Sequence, residues 1–425
     1  MIPQRWKEDI IEIGRMGRKV PQRIESYDQL DFEKGQYRLE GTLACQKSKE
    51  YVIAKMKEAG LEVRIDRVGN IFARRQGFKT SQGAVMSGSH LDSVLNGGMF
   101  DGVLGVVSAL EAVRRMNDEG FENQRPIEVA AFMGEEGSAF KKALLGSLVL
   151  AGKMPDTEAL AICNDENVTL AEALDKQKLR SDFSMELDDV EYFIESHVEQ
   201  GPVLDKEKMP IGIVENITGL TWVNATLSGE ENHAGTTPMA ARRDALVAGA
   251  EIVTLTNRRA NELVKSFGGS TVATVGKMVV KPGAPNIVPG TVEMGIDIRD
   301  SNPEIMQKLK AQTIASIRDL AKRHGVNSTI EVPFDHPPCP CSVEVVNAIE
   351  RAAADLSIKT IRMNSGAGHD AQNIAEKVKT AMIFVPSING ISHSPMEWTK
   401  WDNIENGIKV LTQVLKNLSR DRRLY

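Results

Sequence analysis

His90, Asp101, the adjacent pair Glu135 and Glu136, His197 and His393 form a spaced set of imidazoles and carboxylates with no cysteine among them. Each lies in a short segment that reads as a strand running into a loop or a helix start. The segments are SGSHLDSV (87–94), GGMFDGVLG (97–105), AAFMGEEGS (130–138), FIESHVEQGP (193–202) and NGISHSPMEW (389–398). Two divalent ions sharing a bridging aspartate need donors of this kind. Such a pair, about 3.5–4 Å apart, can hold a hydroxide and polarise a carbonyl together. The set points toward metal-assisted hydrolysis.

Taken singly, each member also has a plainer reading. His90 and Asp92 make H-x-D after a strand, either a ligand whose other ring nitrogen Asp92 orients or a loop histidine beside a carboxylate. Asp101 is either a bridging carboxylate or the N-cap of the helix that follows. Adjacent carboxylates beside an apolar run are costly unless positive charge is near. With ions present, Glu136 is a ligand and Glu135 the base that takes a proton from water; without them the pair is an acidic turn. His197 and His393 follow apolar runs in the same way as His90. The chain has seven histidines, and three at equivalent strand ends make independent coincidence the weaker account.

A second group lies further along. His233 in NHAGTTP (232–238) is a turn residue or a contact to a carbonyl or oxyanion. Asn286 stands in GAPNIVPG and Arg299 in GIDIRD. Val292, Met294, Ile296 and Ile298 alternate onto one face of a strand, which leaves Glu293, Asp297 and Arg299 on the other. Arg299 either clamps a carboxylate bidentately or pairs with Asp297. No phosphate-binding loop, dinucleotide fingerprint or serine elbow occurs.

The elements that must position these residues alternate between strand and helix. LEVRIDRVGNIFARR (61–75) suggests two strands around a Gly-Asn turn, 84–89 and 126–133 read as buried strands, and 103–116 as a helix. This predicts an α/β domain with a mixed sheet and helices on both faces. Ligands in such sheets collect beyond the carboxyl ends of the strands. From about Ile211 the texture changes to alternating strands (219–229, 270–280, 291–300) separated by helices (241–265, 302–325). That order suits an α+β ferredoxin-like module. After Glu331 the first pattern returns, with a helix at 343–356 and a strand at 380–387. The expected organisation is a discontinuous catalytic domain, 1–210 with 331–425, and an inserted domain, 211–330.

A chain of 425 residues is long for one compact domain. Hydrophobic content of 41% and charged content of 26% fit a globular protein with an ample core. Net charge is −6 and the basic residues are scattered, so nucleic acid is not an expected partner. The N-terminal segment has no apolar signal core and no run is long enough to span a bilayer. The expectation is a cytoplasmic protein without a membrane partner. Four cysteines do not make a disulfide framework.

The segments GSHLDSV, GGMFDGVLGV, EEGS, ESHVEQGPVL, NHAGTTPM, NIVPG, SGAGHD and SHSPMEW together resemble the M20-type amidohydrolases. Within these they resemble the branch of N-carbamoyl-L-amino-acid hydrolases, β-ureidopropionases and allantoate amidohydrolases. The resemblance implies two divalent ions (Zn²⁺, or Mn²⁺, Co²⁺ or Ni²⁺) on His90, Asp101, Glu136, His197 and His393, with Glu135 as base. It implies that His197 separates this branch from peptidases, which place a carboxylate there. It implies a small ureido substrate bearing a carboxylate, contacted by His233, Asn286 and Arg299, with Gln200 and His369 at further substrate-contacting positions. It also implies a homodimer through the inserted lid domain, His233 reaching across from the partner. Two departures stand out: Ala139 replaces the family's usual arginine, and Tyr37-Arg38-Leu39-Glu40 alters its Thr-Arg-Leu segment.

Overall fold

The computed structural model describes residues 4–79, 82–269 and 271–420. Ser270, first in the expected 270–280 strand, lies outside the described residues, as do residues 1–3 and 421–425. The chain divides into two compact units. One holds the chain up to Glu215, Cys341–Ser365 and the chain from His369; the other holds Asn216–Pro340 with Gly366–Gly368. No helix among the described residues is long and apolar enough to cross a membrane.

The larger unit is built on a nine-stranded sheet. Its strands are β1 (Glu62–Ile65), β2 (Ile71–Arg75), β3 (Ala84–His90), β4 (Ile127–Phe132), β5 (Val190–Val198), β6 (Ile211–Ile217), β13 (Cys339–Pro340), β14 (Thr360–Ser365) and β15 (Lys379–Val385). The order is β1-β2-β4-β3-β5-β15-β6-β13, with β14 beside β6. β4, β3, β5 and β15 are mutually parallel, and the neighbouring pairs on either side are antiparallel. β3 and β4 are buried at every residue, as expected for strands covered on both faces. The helix Val103–Asp118 packs on β3 and against the C-terminal helix Trp401–Ser419, and the short helices Leu145–Leu150 and Asp370–Ile374 pack together.

The smaller unit contains β7 (Gly219–Ser228), β9 (Val272–Lys281), β11 (Thr291–Asp300) and β12 (Asn327–His336) in the antiparallel order β12-β7-β11-β9, with a short ribbon of β8 (Asn232–His233) and β10 (Ile287–Val288). Along β11 the residues alternate buried and half-buried. Val292, Met294, Ile296 and Ile298 join Val223, Ala225 and Leu227 in a core closed by the helices Ala245–Phe267 and Pro303–Arg323. Both helices start at side-chain caps: Asp244 accepts from Leu246 N and Val247 N, and Asn302 from Glu304 N and Ile305 N. Each satisfies donors that the first turn leaves open.

The change of unit falls at Asn216 and Pro340, not at 211 and 330. β6 follows the expected boundary at 211, yet it hydrogen-bonds β15 of the large sheet and is buried over its first four residues. β12 runs on to His336, past the point where the alternation was expected to stop.

Behind the loop that follows β3 lies a buried polar cluster. Arg38 has no exposure; its Nε donates to Leu91 O at 2.9 Å and its backbone N to Ser93 Oγ at 3.1 Å. Lys49 Nζ sits 2.7 Å from both oxygens of Glu40 in equal burial. Burial works against the Lys49 charge, but the Glu40 carboxylate outweighs it and holds the ammonium up to about 12. Removing one partner strands the other, which typically costs about 3–5 kcal/mol, whereas an apolar pair of similar volume is near neutral. Lys49→Met alone should therefore lower the melting temperature far more than Lys49→Met combined with Glu40→Leu. Equal losses in calorimetry would show that the pair does not act as one unit.

Candidate metal centre

The parallel strands deliver their carboxyl ends to one place. His90 is the last residue of β3, His197 lies one residue from the end of β5, and β4 stops just before Glu135 and Glu136. His90 Nδ1 lies 3.2 Å from the Asp92 carbonyl. Its Nε2 is then turned to Asp101 Oδ1 at 3.3 Å and Glu135 Oε2 at 3.7 Å. His197 repeats the device. Its Nδ1 is 2.9 Å from Val198 O, and its Nε2 is 3.2 Å from the same Asp101 Oδ1. A backbone carbonyl on one ring nitrogen fixes the tautomer and leaves the other with a lone pair that can ligate a metal.

Asp101 Oδ2 faces the other way, 3.4 Å from His393 Nε2, which is also 3.4 Å from Glu136 Oε2. Three donor clusters result: His90–Asp101–His197, Asp101–Glu136–His393 and His90–Glu135–Glu136. One carboxylate is thus shared by two of them through different oxygens. The helix that follows does not use Asp101 as its side-chain cap: Gly102 occupies that position with φ +66°. A Cβ on Gly102 would run into the His90 ring, so the turn requires glycine on both counts.

Asp92 departs from its expected role. Its carboxylate is 3.5 Å from His90 Nδ1, farther than its own backbone carbonyl. Instead Oδ1 accepts from Glu135 N at 3.2 Å and Oδ2 from Glu136 N at 3.1 Å. Two amide–carboxylate bonds, each about 1.5–3 kcal/mol, make it chiefly the holder of the Glu135-Glu136 turn.

The electrostatics fit a cation. Burial, added to by Asp101, pushes Glu136 up to about 7, and burial with Glu136, Asp370 and Asp101 pushes Glu135 well above the ordinary range. Asp101 is buried too, yet His197, His393 and His90 hold it well below the usual carboxylate range. His393 is pushed up to about 9 by its bond to Asp101, ahead of the opposing burial. Glu136 Oε1 is buried without a hydrogen-bond partner. An orphaned carboxylate oxygen among nitrogen and oxygen donors is what a hard or borderline divalent ion satisfies.

The remaining candidates are placed unequally. Gln200 Nε2 donates to Asp101 Oδ2 at 2.8 Å, while its Oε1 is buried without a partner. His369 is 2% exposed, with Nε2 3.0 Å from Ser365 Oγ and its ring 4.7 Å from that of His197. Burial and the neighbouring His197 hold it well below the ordinary imidazole range. In the smaller unit, His233 Nδ1 accepts from Gly235 N and Thr236 N at 3.0 and 3.2 Å, and Ala234 N donates to Asn286 O at 3.0 Å. Arg299 is paired with Asp297, Nε to Oδ1 at 2.9 Å and Nη2 to Oδ2 at 3.1 Å, and its Nη1 donates to Gly366 O at 3.0 Å. Asn286 and His233 lie at the Thr291 end of β11, where Thr291 pairs with Ser228; Arg299 lies at the other end, opposite Leu220. Eight residues of strand separate those ends by roughly 27 Å. A single chain therefore does not close Asn286 and Arg299 on one carboxylate.

Two buried carboxylates escaped the sequence reading. Glu195 accepts from Ser89 Oγ at 2.7 Å and Ala371 N at 3.0 Å, and with His197 and His369 it forms a fourth donor cluster. Glu397 accepts from Phe100 N and Asp101 N at 2.9 and 3.1 Å and from Ser392 Oγ at 2.7 Å. Apart from Ser392, five residues before Glu397, their partners lie far away in sequence, so no local period marks them. Ala139, at the position of the absent arginine, packs against the Phe140 and Leu145 cluster.

Residues 86–417 match the profile of peptidase family M20/M25/M40. The chain is 37% identical over 421 residues to an N-carbamoyl-L-amino-acid amidohydrolase of Paenarthrobacter aurescens, covering 98% of each chain. It is 35% identical over 367 residues to an allantoate amidohydrolase of Escherichia coli, covering 86% of this chain and 88% of the other. Among solved structures, an amidase of the hydantoinase/carbamoylase family from Burkholderia multivorans superposes with a TM-score of 0.87 at 32% identity, over 98% of both chains. With that profile spanning most of its length and these relatives matching it nearly end to end, the chain belongs to the M20/M25/M40 family.

Proposed function

We propose that this chain is a two-metal amidohydrolase that cleaves the C–N bond of an N-carbamoyl group. Its substrates in this reading are N-carbamoyl-L-amino acids, released as amino acid, carbon dioxide and ammonia. The observation that carries it is the Asp101 carboxylate set between two donor clusters with Glu135 beside them. His90, Asp101 and His197 would hold one ion, and Asp101, Glu136 and His393 the other. The donor set suits Zn²⁺, Mn²⁺, Co²⁺ or Ni²⁺. Bound there, such ions supply a hydroxide nucleophile at neutral pH and polarise the carbamoyl carbonyl.

Glu135 takes the proton of the attacking water as the new C–O bond forms. It returns that proton to the departing nitrogen as the C–N bond breaks. Burial and neighbouring carboxylates raise its carboxyl, which favours holding the proton between its uptake from water and its return to nitrogen. Arg299 spends three of its five N–H groups on Asp297 and Gly366, leaving two for a substrate carboxylate. His233 and Asn286 sit at the far end of β11, so we infer a homodimer in which the second copy supplies that pair. The activities named for the Paenarthrobacter and Escherichia relatives support a ureido substrate. The second of these, with the SGAGHD segment, favours allantoate as the alternative.

The direct test is ammonia release from N-carbamoyl-L-amino acids, 3-ureidopropionate and allantoate, with Zn²⁺ and Mn²⁺ compared. Turnover of dipeptides or acyl amino acids alone would overturn the substrate class. Glu135→Gln should keep its metal and lose about 10²- to 10⁴-fold in kcat; a near-normal rate removes the base assignment. Asp101→Ala takes a donor from two clusters and should empty both ion positions after dialysis, whereas His393→Ala should empty one. Elemental analysis that finds equal content in the two variants contradicts the shared carboxylate. If the second copy completes the site, inactive His233→Ala and Glu135→Gln chains should complement when co-refolded. Random pairing leaves about a quarter of the sites intact, and no recovery argues against sharing.

A further inference from the structure

We propose that Glu397 is a positioning residue that clamps the Asp101 and His393 segments together, and thereby sets the affinity of the ion position those two residues share. The inference rests on the two-ion reading above.

The ligands are not held alike. His90 and His197 stand on interior strands with one ring nitrogen fixed by a backbone carbonyl. His393 stands on a loop, its side chain 52% exposed, its backbone at φ +51°, a region a β-carbon makes costly. Among the described residues no group hydrogen-bonds its Nδ1. Its Nε2 meets Asp101, Glu136 and Gln200, so on the other side the ring is held only through its backbone, and a strained backbone persists only when its surroundings over-determine it.

Glu397 supplies that determination. It is fully buried, and both oxygens are used. Oε1 takes Phe100 N and Asp101 N, which fixes the backbone that carries the shared carboxylate. Oε2 takes Ser392 Oγ, immediately before His393. Ser392 Oγ is also 3.1 Å from Asp101 Oδ2, so the two segments meet there a second time. Glu397 N donates to Ser394 O at 3.0 Å, which closes the His393 loop on itself. Gly98 leaves the space: a Cβ there would overlap the Glu397 carboxyl group. One carboxylate thus sets the distance between Asp101 and His393 and touches neither His90 nor His197.

The consequence is selective. Outer partners of metal ligands are worth about 10- to 100-fold in metal affinity, and here the loss should fall on one ion of two. Purified full-length protein is loaded with Zn²⁺ and dialysed against a graded series of a competing chelator, and retained zinc is counted per chain. Ser392→Ala, a small change in a half-buried loop, and Glu397→Gln, which keeps the volume but accepts at only one of the two positions, should each release one equivalent at about 10- to 100-fold lower chelator strength. The second equivalent should follow the wild-type curve. Retention of both equivalents as in wild type, or parallel loss of both, overturns the clamp. A wild-type chain that never holds two equivalents instead overturns the two-ion reading on which the clamp depends.

Discussion

The constraint on which this structure depends is the burial of negative charge at the carboxyl ends of a parallel sheet. Asp92, Asp101, Glu135, Glu195, Asp370 and Glu397 are all withdrawn from solvent within a few strand ends. An unpaired carboxylate in such surroundings is pushed toward its neutral form, and Asp370, buried beside Glu195, is pushed up to about 8. The compensation is unequal. Asp92, Glu195 and Glu397 spend theirs on backbone amides and hydroxyls, and Asp101 on three imidazoles. Glu135, Glu136 and Asp370 are left the least compensated, with Glu136 Oε1 and Asp370 Oδ2 buried without a hydrogen-bond partner.

That division of labour follows from what each element can do. Interior strands hold a side chain well because both faces are packed, so the histidines on β3 and β5 need one backbone carbonyl apiece. Loops hold a side chain only through added bonds. The loop-borne members of the set, Asp101 and His393, are accordingly the ones surrounded by Glu397, Ser392 and Gln200. Rigidity in the site is inherited from the sheet on one side and assembled from side chains on the other.

Much of this was legible in the sequence, and the limits have physical causes. A histidine just after a short apolar run is visible because burial on both faces leaves a continuous apolar signature. The alternation of Val292 to Ile298 is visible because one face of β11 meets helices and the other does not. Glu397 and Glu195 were invisible because the backbone amides and hydroxyl that hold them are mostly distant in the chain, and a buried glutamate looks like a surface one. Asp92 does approach His90 Nδ1, at 3.5 Å, but its hold on the Glu135-Glu136 turn was not legible because those amides lie more than forty residues away. The boundary near 211 was misplaced because β6 stands next in the chain to the alternating strands while pairing with the sheet before it.

The way the smaller unit is spliced into the chain has its own consequence. Its first and last residues stand opposite each other in the ladder, for Ile217 pairs with Cys339 and Asn216 with Pro340 across β6 and β13, and Cys341 N donates to Glu215 O just beyond them at 2.9 Å. Paired antiparallel strands stand about 5 Å apart, a gap that a two-residue turn spans. The insertion therefore occupies what is topologically the tip of a hairpin. Such a module can be lengthened, exchanged or removed without altering the strand order of the large sheet.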